Sequence, residues 1–272
     1  MTQIDTGTED LLARSEDGVA VLTLNRPERR NALSDDMLQA LGRVLAELEV
    51  DEDVGCVVLT GAGGAFCAGG DVKAMAEGGG AGGRRSLDAA IHRQRANQRA
   101  TAGRLWEMAT PTIAALPGPA AGAGLSLALA CDLRYLADTA FLTTAFARVA
   151  LAGDYGGTWF LTRLVGAAKA RELYFFSERV PADEARRLGL ANDVFPADRL
   201  EDEVLARARR LAEGPRVALR SMKENLNRAV HADLGECLDL EATLHILSSR
   251  TEDHREAATA FVEKRRPRFS GR

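Results

Sequence analysis

Ala114-Ala115-Leu116-Pro117-Gly118-Pro119-Ala120-Ala121-Gly122-Ala123-Gly124-Leu125-Ser126-Leu127-Ala128-Leu129-Ala130-Cys131-Asp132 is the stretch whose reading decides the fold. Thr112 to Leu116 reads as a short buried strand, stopped by Pro117 and Pro119. Small residues, Ala121 to Gly124, then run straight into an apolar helix over Leu125 to Cys131. A helix that begins on glycine and alanine presents bare backbone N–H groups at its positive end. Such donors suit an anion or a developing oxyanion. Small residues also serve plain helix–sheet packing, and from this stretch alone both readings stand.

Upstream, Leu11 to Arg14 and Val19 to Leu24 read as a hairpin joined by Ser15-Glu16-Asp17-Gly18. After the loop Asn25 to Asn31, Ser34 caps a helix, with Asp35 and Asp36 in its first turn where carboxylates suit the dipole. Leu38, Leu41, Leu45 and Leu48 continue it at helical spacing. Gly55 to Thr60 predicts a strand buried on both faces. The Gly-rich run Gly61 to Lys73 leads into a short helix. It lacks a third Gly where Phe66 stands and has no Gly-Lys-Ser/Thr, so neither a dinucleotide fingerprint nor a phosphate loop fits. Gly78 to Gly83 is low-complexity and reads as a mobile loop insertion, with a lid as its functional alternative. A long polar helix spans Ser86 to Glu107.

Downstream, Leu133 to Leu136 and Phe141 to Thr143 look like strands. Gly156-Gly157 opens a helix over Thr158 to Val165, and Ala167 to Phe176 forms a further one. From about Asp198 helical patterns run to Arg265 without a strand signal. The class is therefore α/β, with a boundary near residue 200 dividing a core, 1–200, from a helical region, 201–272.

The 272 residues allow one large domain or two smaller ones, and 46% hydrophobic residues supply a sizeable core. A net charge of -4 with no dominant basic cluster argues against nucleic acid as the main partner. Lys264-Arg265-Arg266 is one short basic run, either a solvated tail or a phosphate contact. Cys56, Cys67, Cys131 and Cys237 have neither metal nor redox spacing, which predicts reduced thiols in a cytoplasmic protein and no metal site. The polar, acidic start Met1 to Asp5 is unlike a signal peptide. No apolar run approaches the roughly 18 residues of a membrane span.

Three motifs together resemble the crotonase superfamily, the enoyl-CoA hydratase/isomerase family. They are Leu24-Asn25-Arg26-Pro27-Glu28-Arg29-Arg30-Asn31-Ala32-Leu33, Gly64-Ala65-Phe66-Cys67-Ala68-Gly69-Gly70-Asp71, and Gly122 to Asp132. Asp154-Tyr155-Gly156-Gly157-Thr158 with Leu164-Val165-Gly166, Ala182 to Leu190 and Phe261-Val262-Glu263-Lys264-Arg265 extend the match over about residues 11 to 266. The resemblance implies a spiral of strand-strand-helix units followed by a helical C-terminal region that makes homotrimers or dimers of trimers. It implies a thioester substrate carried on coenzyme A, and no separate cofactor. It also implies two backbone N–H donors to the thioester oxygen, at Gly70 and Ala123. Losing one such donor from a transition state typically costs about 3–4 kcal/mol. Arg29, Ala68 and Asp71 match positions at the nucleotide end of coenzyme A. Phe261 and Lys264 match a pair that meets adenine and phosphates, sometimes from a neighbouring subunit.

This chain departs from the hydratases where they carry two water-handling glutamates. Ser126 and Phe146 stand there, and neither takes a proton from water as a carboxylate does. Asp154 instead precedes Tyr155-Gly156-Gly157, as in the isomerase branch, which looks closest to 2-(1,2-epoxyphenyl)acetyl-CoA isomerase-like members. One carboxylate suffices to remove an α proton and return it at the γ carbon. Leu151, Ala152 and Tyr155 are the neighbours expected to desolvate it and raise its pKa. The plain alternative for Asp154 is a cap on the helix opening at Gly156. Ala150 and Gly153 also depart, standing where the family usually has Gly and often has Pro.

The reading is therefore an enoyl-CoA isomerase with Asp154 as acid and base, Ser126 and Phe146 shaping the acyl pocket, and hydratase activity as the alternative. Two other classes compete. Gly124-Leu125-Ser126-Leu127-Ala128 loosely resembles a nucleophile elbow, which would make a serine hydrolase. A non-catalytic acyl-CoA-binding protein would keep the pocket without the chemistry. A decarboxylase or ring-modifying enzyme using the same enolate is a further member of the class.

Overall fold

Thr2–Ile4 (β1), Leu11–Glu16 (β2) and Val19–Leu24 (β3) open the structure, a computed structural model that describes residues 1–76 and 86–272. The glycine run Gly78 to Gly83 lies outside the described residues. The β2–β3 hairpin turns on two residues, Asp17 and Gly18, both with positive φ, and not on the four expected. Ser34 caps Asp35–Val50 (α1) by accepting the Met37 amide at 3.1 Å, and Leu38, Leu41, Leu45 and Leu48 are buried as their spacing predicts.

Cys56–Gly61 (β4), Val72–Ala76 (α2), Leu87–Gln98 (α3), Arg104–Glu107 (α4), Thr112–Leu116 (β5), Ala120–Ala121 (β6) and Ala123–Ala130 (α5) follow. A π turn over Arg99–Gly103 interrupts the long polar helix between α3 and α4. The central helix α5 starts at Ala123, two residues before the expected Leu125. Gly122 at φ 52 lets the chain enter it directly from β6. Next come Leu133–Ala137 (β7), Phe141–Thr143 (β8), Gly157–Phe176 (α6), Val180–Pro181 (β9), Ala182–Arg187 (α7) and Asp193–Phe195 (β10). α6 contains the expected break, for Gly166 sits at φ 77 and ψ 163.

The strands make a seven-stranded sheet in the order β1-β2-β3-β4-β5-β7-β10, antiparallel over β1 to β3 and parallel from β3 to β10. β6-β8-β9 form a second, small sheet. Strand, strand and helix alternate as a spiral, so the α/β class and the helical C-terminal end hold. β5 is buried along its whole length, as a parallel strand covered on both faces must be.

Leu200–Ala212 (α8) packs on β3, β4, β5 and β7 through Leu200, Val204 and Ala208. Arg216–Ala229 (α9) and Leu234–Ser248 (α10) pair with each other, and Glu252–Glu263 (α11) follows. One buried cluster ties α9 to the core. Lys223 Nζ donates to Asp132 Oδ2 at 2.8 Å and to the Leu105 and Thr110 carbonyls at 3.2 Å. Asp132 Oδ2 also accepts the Thr112 amide at 2.7 Å. All three ammonium donors are used, so this buried charge is compensated.

That cluster generates a stability prediction. Lys223→Met leaves Asp132 without its cation, and unpairing a buried ion pair costs about 3–5 kcal/mol. The urea midpoint should fall accordingly. An unchanged midpoint would show that α9 does not rely on the pair.

Candidate active site

Two glycine-bearing segments meet at the start of α5. Cys67 accepts the Ala121 amide at 2.9 Å, and Cys67 and Ala120 form a parallel bridge. A side chain on Gly124 would lie 2.5 Å from the Cys67 carbonyl and 2.8 Å from its Sγ, so only glycine allows the contact. Gly69, at φ +86, has its missing Cβ position 2.7 Å from the Ala121 carbonyl and 3.2 Å from the Ala123 nitrogen. Gly70 follows immediately. Among the described residues no hydrogen bond uses the Gly70 or Ala123 N–H. Both are left for something outside the chain.

Asp154 lies on a loop whose backbone is left-handed at Ala150 (φ 55) and Tyr155 (φ 49), with Gly153 at φ 109. Ala150 thus takes a glycine-like conformation at the place where the family usually has Gly. Gln98 holds the loop by accepting the Tyr155 amide at 2.6 Å. Asp154 Oδ1 is buried without a hydrogen-bond partner. Burial pushes its pKa up to about 6. Its side chain caps nothing, for α6 begins behind left-handed Gly156 without a side-chain cap bond. Of the three neighbours expected to shield it, only Tyr155 is buried; Leu151 and Ala152 are exposed. Cys67, Tyr155 and Tyr174 stand near enough for the Asp154 charge to add to the upward shift of each.

Ser126 is buried inside α5, its Oγ donating to the Gly122 carbonyl at 3.3 Å. No histidine among the described residues bonds to it, and it sits on no strand-to-helix elbow, which corrects the hydrolase reading. Phe146 is buried, 3.7 Å from the missing Cβ position of Gly122, and stacks on Tyr174 at 5.8 Å and 11°. Ser126, Phe146, Ala123 and Gly70 therefore surround one end of α5.

Arg29, Ala68 and Asp71 form a second group. Arg29 Nη1 lies 3.9 Å from Asp71 Oδ1, and the Ala68 amide donates to the Arg30 carbonyl at 2.9 Å. Asp71 also caps α2 through the Ala74 amide at 3.1 Å and pairs with Arg26 at 3.2 Å. The Ala74 amide and then Arg26 hold its carboxyl below the usual range. Phe261 and Lys264 are not brought to these groups: Phe261 is 84% exposed and Lys264 is the left-handed C-cap of α11.

Three positioning residues carried no assigned role in the sequence. Asn31 is fully buried and donates to the Ala62 and Ala65 carbonyls at 2.9 and 2.8 Å, fixing the glycine-rich turn. Gln98 reaches the Asp154 loop from α3 and Tyr174 from the far half of α6, relations no local pattern encodes. Among the described residues no cluster of metal-ligating side chains is present, and no helix is long and apolar enough to cross a membrane.

Residues 14–272 match the family model for enoyl-CoA hydratase/isomerase. The chain is 38% identical over 264 residues to the protein named "Probable enoyl-CoA hydratase echA8" of Mycobacterium bovis, covering 97% of this chain and 99% of that one. It is 37% identical to the 1,2-epoxyphenylacetyl-CoA isomerase of Escherichia coli with the same coverage. The crystal structure of an enoyl-CoA hydratase from Bacillus anthracis superposes with a TM-score of 0.89 at 32% identity, over 97% of this chain and all of that chain.

The Asp154 environment has a consequence for stability. With a folded pKa of about 6 against an ordinary 3.8, the folded state holds a proton that the unfolded chain has already lost. Stability contributed by the neutral form is thus lost as pH rises from about 4 to above 6. Asp154→Asn removes that loss, so its gain over the parent should grow across this window to the order of 2–3 kcal/mol. Melting temperatures of both proteins against pH test it, and a pH-independent difference would contradict it.

Proposed function

The chain belongs to the enoyl-CoA hydratase/isomerase family, and we propose that within it the protein moves the double bond of an enoyl-CoA thioester, with Asp154 as the single acid and base. One observation carries the reading: a carboxyl buried without a partner beside the start of α5, at a site whose other two candidate positions hold Ser126 and Phe146.

The substrate enters as a 3-enoyl thioester with its carbonyl oxygen against the Gly70 and Ala123 N–H groups. Asp154 removes the α proton, and the charge spreads through a dienolate onto that oxygen. Fixed donors, aided by the positive end of α5, stabilise it without reorganising. The protonated Asp154 then returns the proton at the γ carbon, giving the conjugated 2-enoyl thioester. A pKa near 6 leaves the carboxylate ionised at neutral pH yet basic enough to work. Proton transfer within one substrate draws on no redox partner, and coenzyme A is part of the substrate. Arg29, Ala68 and Asp71 lie at its nucleotide end. Hydration, the alternative, needs a second group to handle water, for which Ser126 and Phe146 are poor substitutes.

The C-terminal helices serve assembly in this reading. Leu226, Leu234, Leu238, Ile246 and Leu247 are each more than half exposed on α9 and α10, an apolar surface suited to a second and third copy. Leu244, on the same helix, is buried within the chain. Phe261 and Lys264 would then act at a neighbour's nucleotide site.

Two outcomes follow. With trans-3-hexenoyl-CoA, kcat/KM of the parent should rise as pH passes about 6 and then level, and Asp154→Asn should lower kcat about 10²–10⁴-fold with little change in KM. A variant that isomerises at the parent rate would remove Asp154 from the mechanism. Light scattering at micromolar concentration should give three or six times the chain mass, and a monomeric mass would end the assembly proposal.

A further inference from the structure

Tyr174 is unaccounted for by the isomerisation. It lies in the second half of α6, its ring stacked on Phe146 at 5.8 Å. Its hydroxyl points back towards the first turn of the same helix. There the missing Cβ position of Gly157 is 2.6 Å from the Tyr174 hydroxyl and closer still to Ser126 Oγ. The missing Cβ position of Gly153 is 3.0 Å from Tyr174 Cε1 and 3.4 Å from its hydroxyl. Two glycines flanking Asp154 therefore make room for one phenol.

The chemistry of this corner is specific. The Tyr174 carbonyl accepts from Ser177 Oγ at 3.3 Å, but no hydrogen bond among the described residues engages its hydroxyl. Ser126 Oγ spends its proton on the Gly122 carbonyl. Burial, reinforced by the Asp154 charge, raises the phenol pKa, so Tyr174 stays protonated and offers a donor. A half-buried donor without a protein partner is a place for a ligand acceptor. Ser126 lies three residues beyond Ala123, on the same face of α5. Ser126 is thus about one helical turn from the thioester oxygen's donor, and the phenol stands beside it across the missing Cβ position of Gly157.

We propose that Tyr174 is a specificity-determining residue whose hydroxyl, seated between Gly157 and the Asp154 loop, donates a hydrogen bond to an oxygen substituent on the acyl chain, near its fifth carbon. The preferred substrates are then oxygenated acyl-CoA thioesters and not plain alkenoyl ones. This rests on Asp154 marking the acyl site, but not on isomerisation as its chemistry.

The test uses saturated thioesters, which no isomerase turns over. Calorimetry of the full-length protein compares 5-oxohexanoyl-CoA with hexanoyl-CoA. The parent should bind the oxo compound about tenfold more tightly, the worth of one net hydrogen bond. Tyr174→Phe keeps the ring on Phe146 and should bring the ratio of affinities to about one. Gly157→Ala, whose added Cβ would come 2.6 Å from the phenol oxygen and displace it, should also abolish the preference. Equal affinities in the parent, a preference that survives Tyr174→Phe, or no binding of either thioester would overturn the proposal. Turnover of trans-3-hexenoyl-CoA and of its 5-hydroxy derivative is read separately, so a protein that prefers the oxo compound without isomerising either alkene refutes the isomerase reading alone.

Discussion

The site depends on a backbone packed directly on a backbone. The Cys67 carbonyl and side chain occupy the space that a Cβ on Gly124 would need, and the Ala121 carbonyl occupies that of Gly69. Apart from the Cys67 side chain the contact is backbone on backbone, so its spacing is set by peptide geometry and by the strands on either side. β4 delivers the Gly61–Gly70 turn and β5 delivers α5, and the two strands are parallel neighbours in register at Val57 and Thr112. Phe66 and Cys67 both donate to the Pro119 carbonyl, and Asn31 pins the turn from a third direction. Donors held this way need no reorganisation when charge develops in front of them, which is what makes fixed amides effective.

Two part-buried carboxylates show how the same fold treats charge in opposite ways. Asp132 is held by Lys223 and by Thr112, so its burial fastens α9 to the core. Asp154 has burial without a partner, on a loop with left-handed non-glycine residues. Both burying an unpaired carboxyl and left-handed backbone are costly, and such costs gather at working sites. A satisfied Asp154 would be a weaker base. The Lys223 cluster and the core under α8 supply the stability that tolerates it.

Legibility in the sequence followed the range of the forces involved. Ser34 as a cap, the leucine face of α1, the buried run of β4 and the stop at Pro117 are local and were readable. β1, β6, β9 and β10 are two or three residues long and carry no period to detect. The early start of α5 depends on Gly122 at φ 52, a conformation composition does not announce. Asp154 was readable as a candidate from its place before Tyr155-Gly156-Gly157, but its shielding was not. Leu151 and Ala152 adjoin it in sequence yet face outward, while Gln98 comes from α3 and Tyr174 from the far half of α6. Sequence neighbours are poor guides to solvation wherever a loop turns through positive φ.

The same contrast of local and distant explains how the group proposed for the nucleotide end is arranged. Arg29, Ala68 and Asp71 are adjacent because the Arg30 carbonyl receives the Ala68 amide. Asp71 is already committed to Arg26 and to the cap of α2, so Arg29, more than a third exposed, is the side chain in that group with donors to spare. A single guanidinium is a sparse anchor for a ligand with several phosphates. The other cation of the family pattern, Lys264, stands at the end of α11 with Phe261 almost wholly exposed beside it. α11 is secured at its far end, where buried Asp253 accepts the Ser270 and Gly271 amides at 2.6 and 3.0 Å. The helix is fixed at its start and the tail folds back onto Glu256 through Arg265 and Arg268, which leaves Phe261 facing outward beside the Lys264 C-cap. In the assembly proposed above, that ring and cation would meet the Arg29 group of an adjoining copy and complete the anchor that one chain leaves sparse.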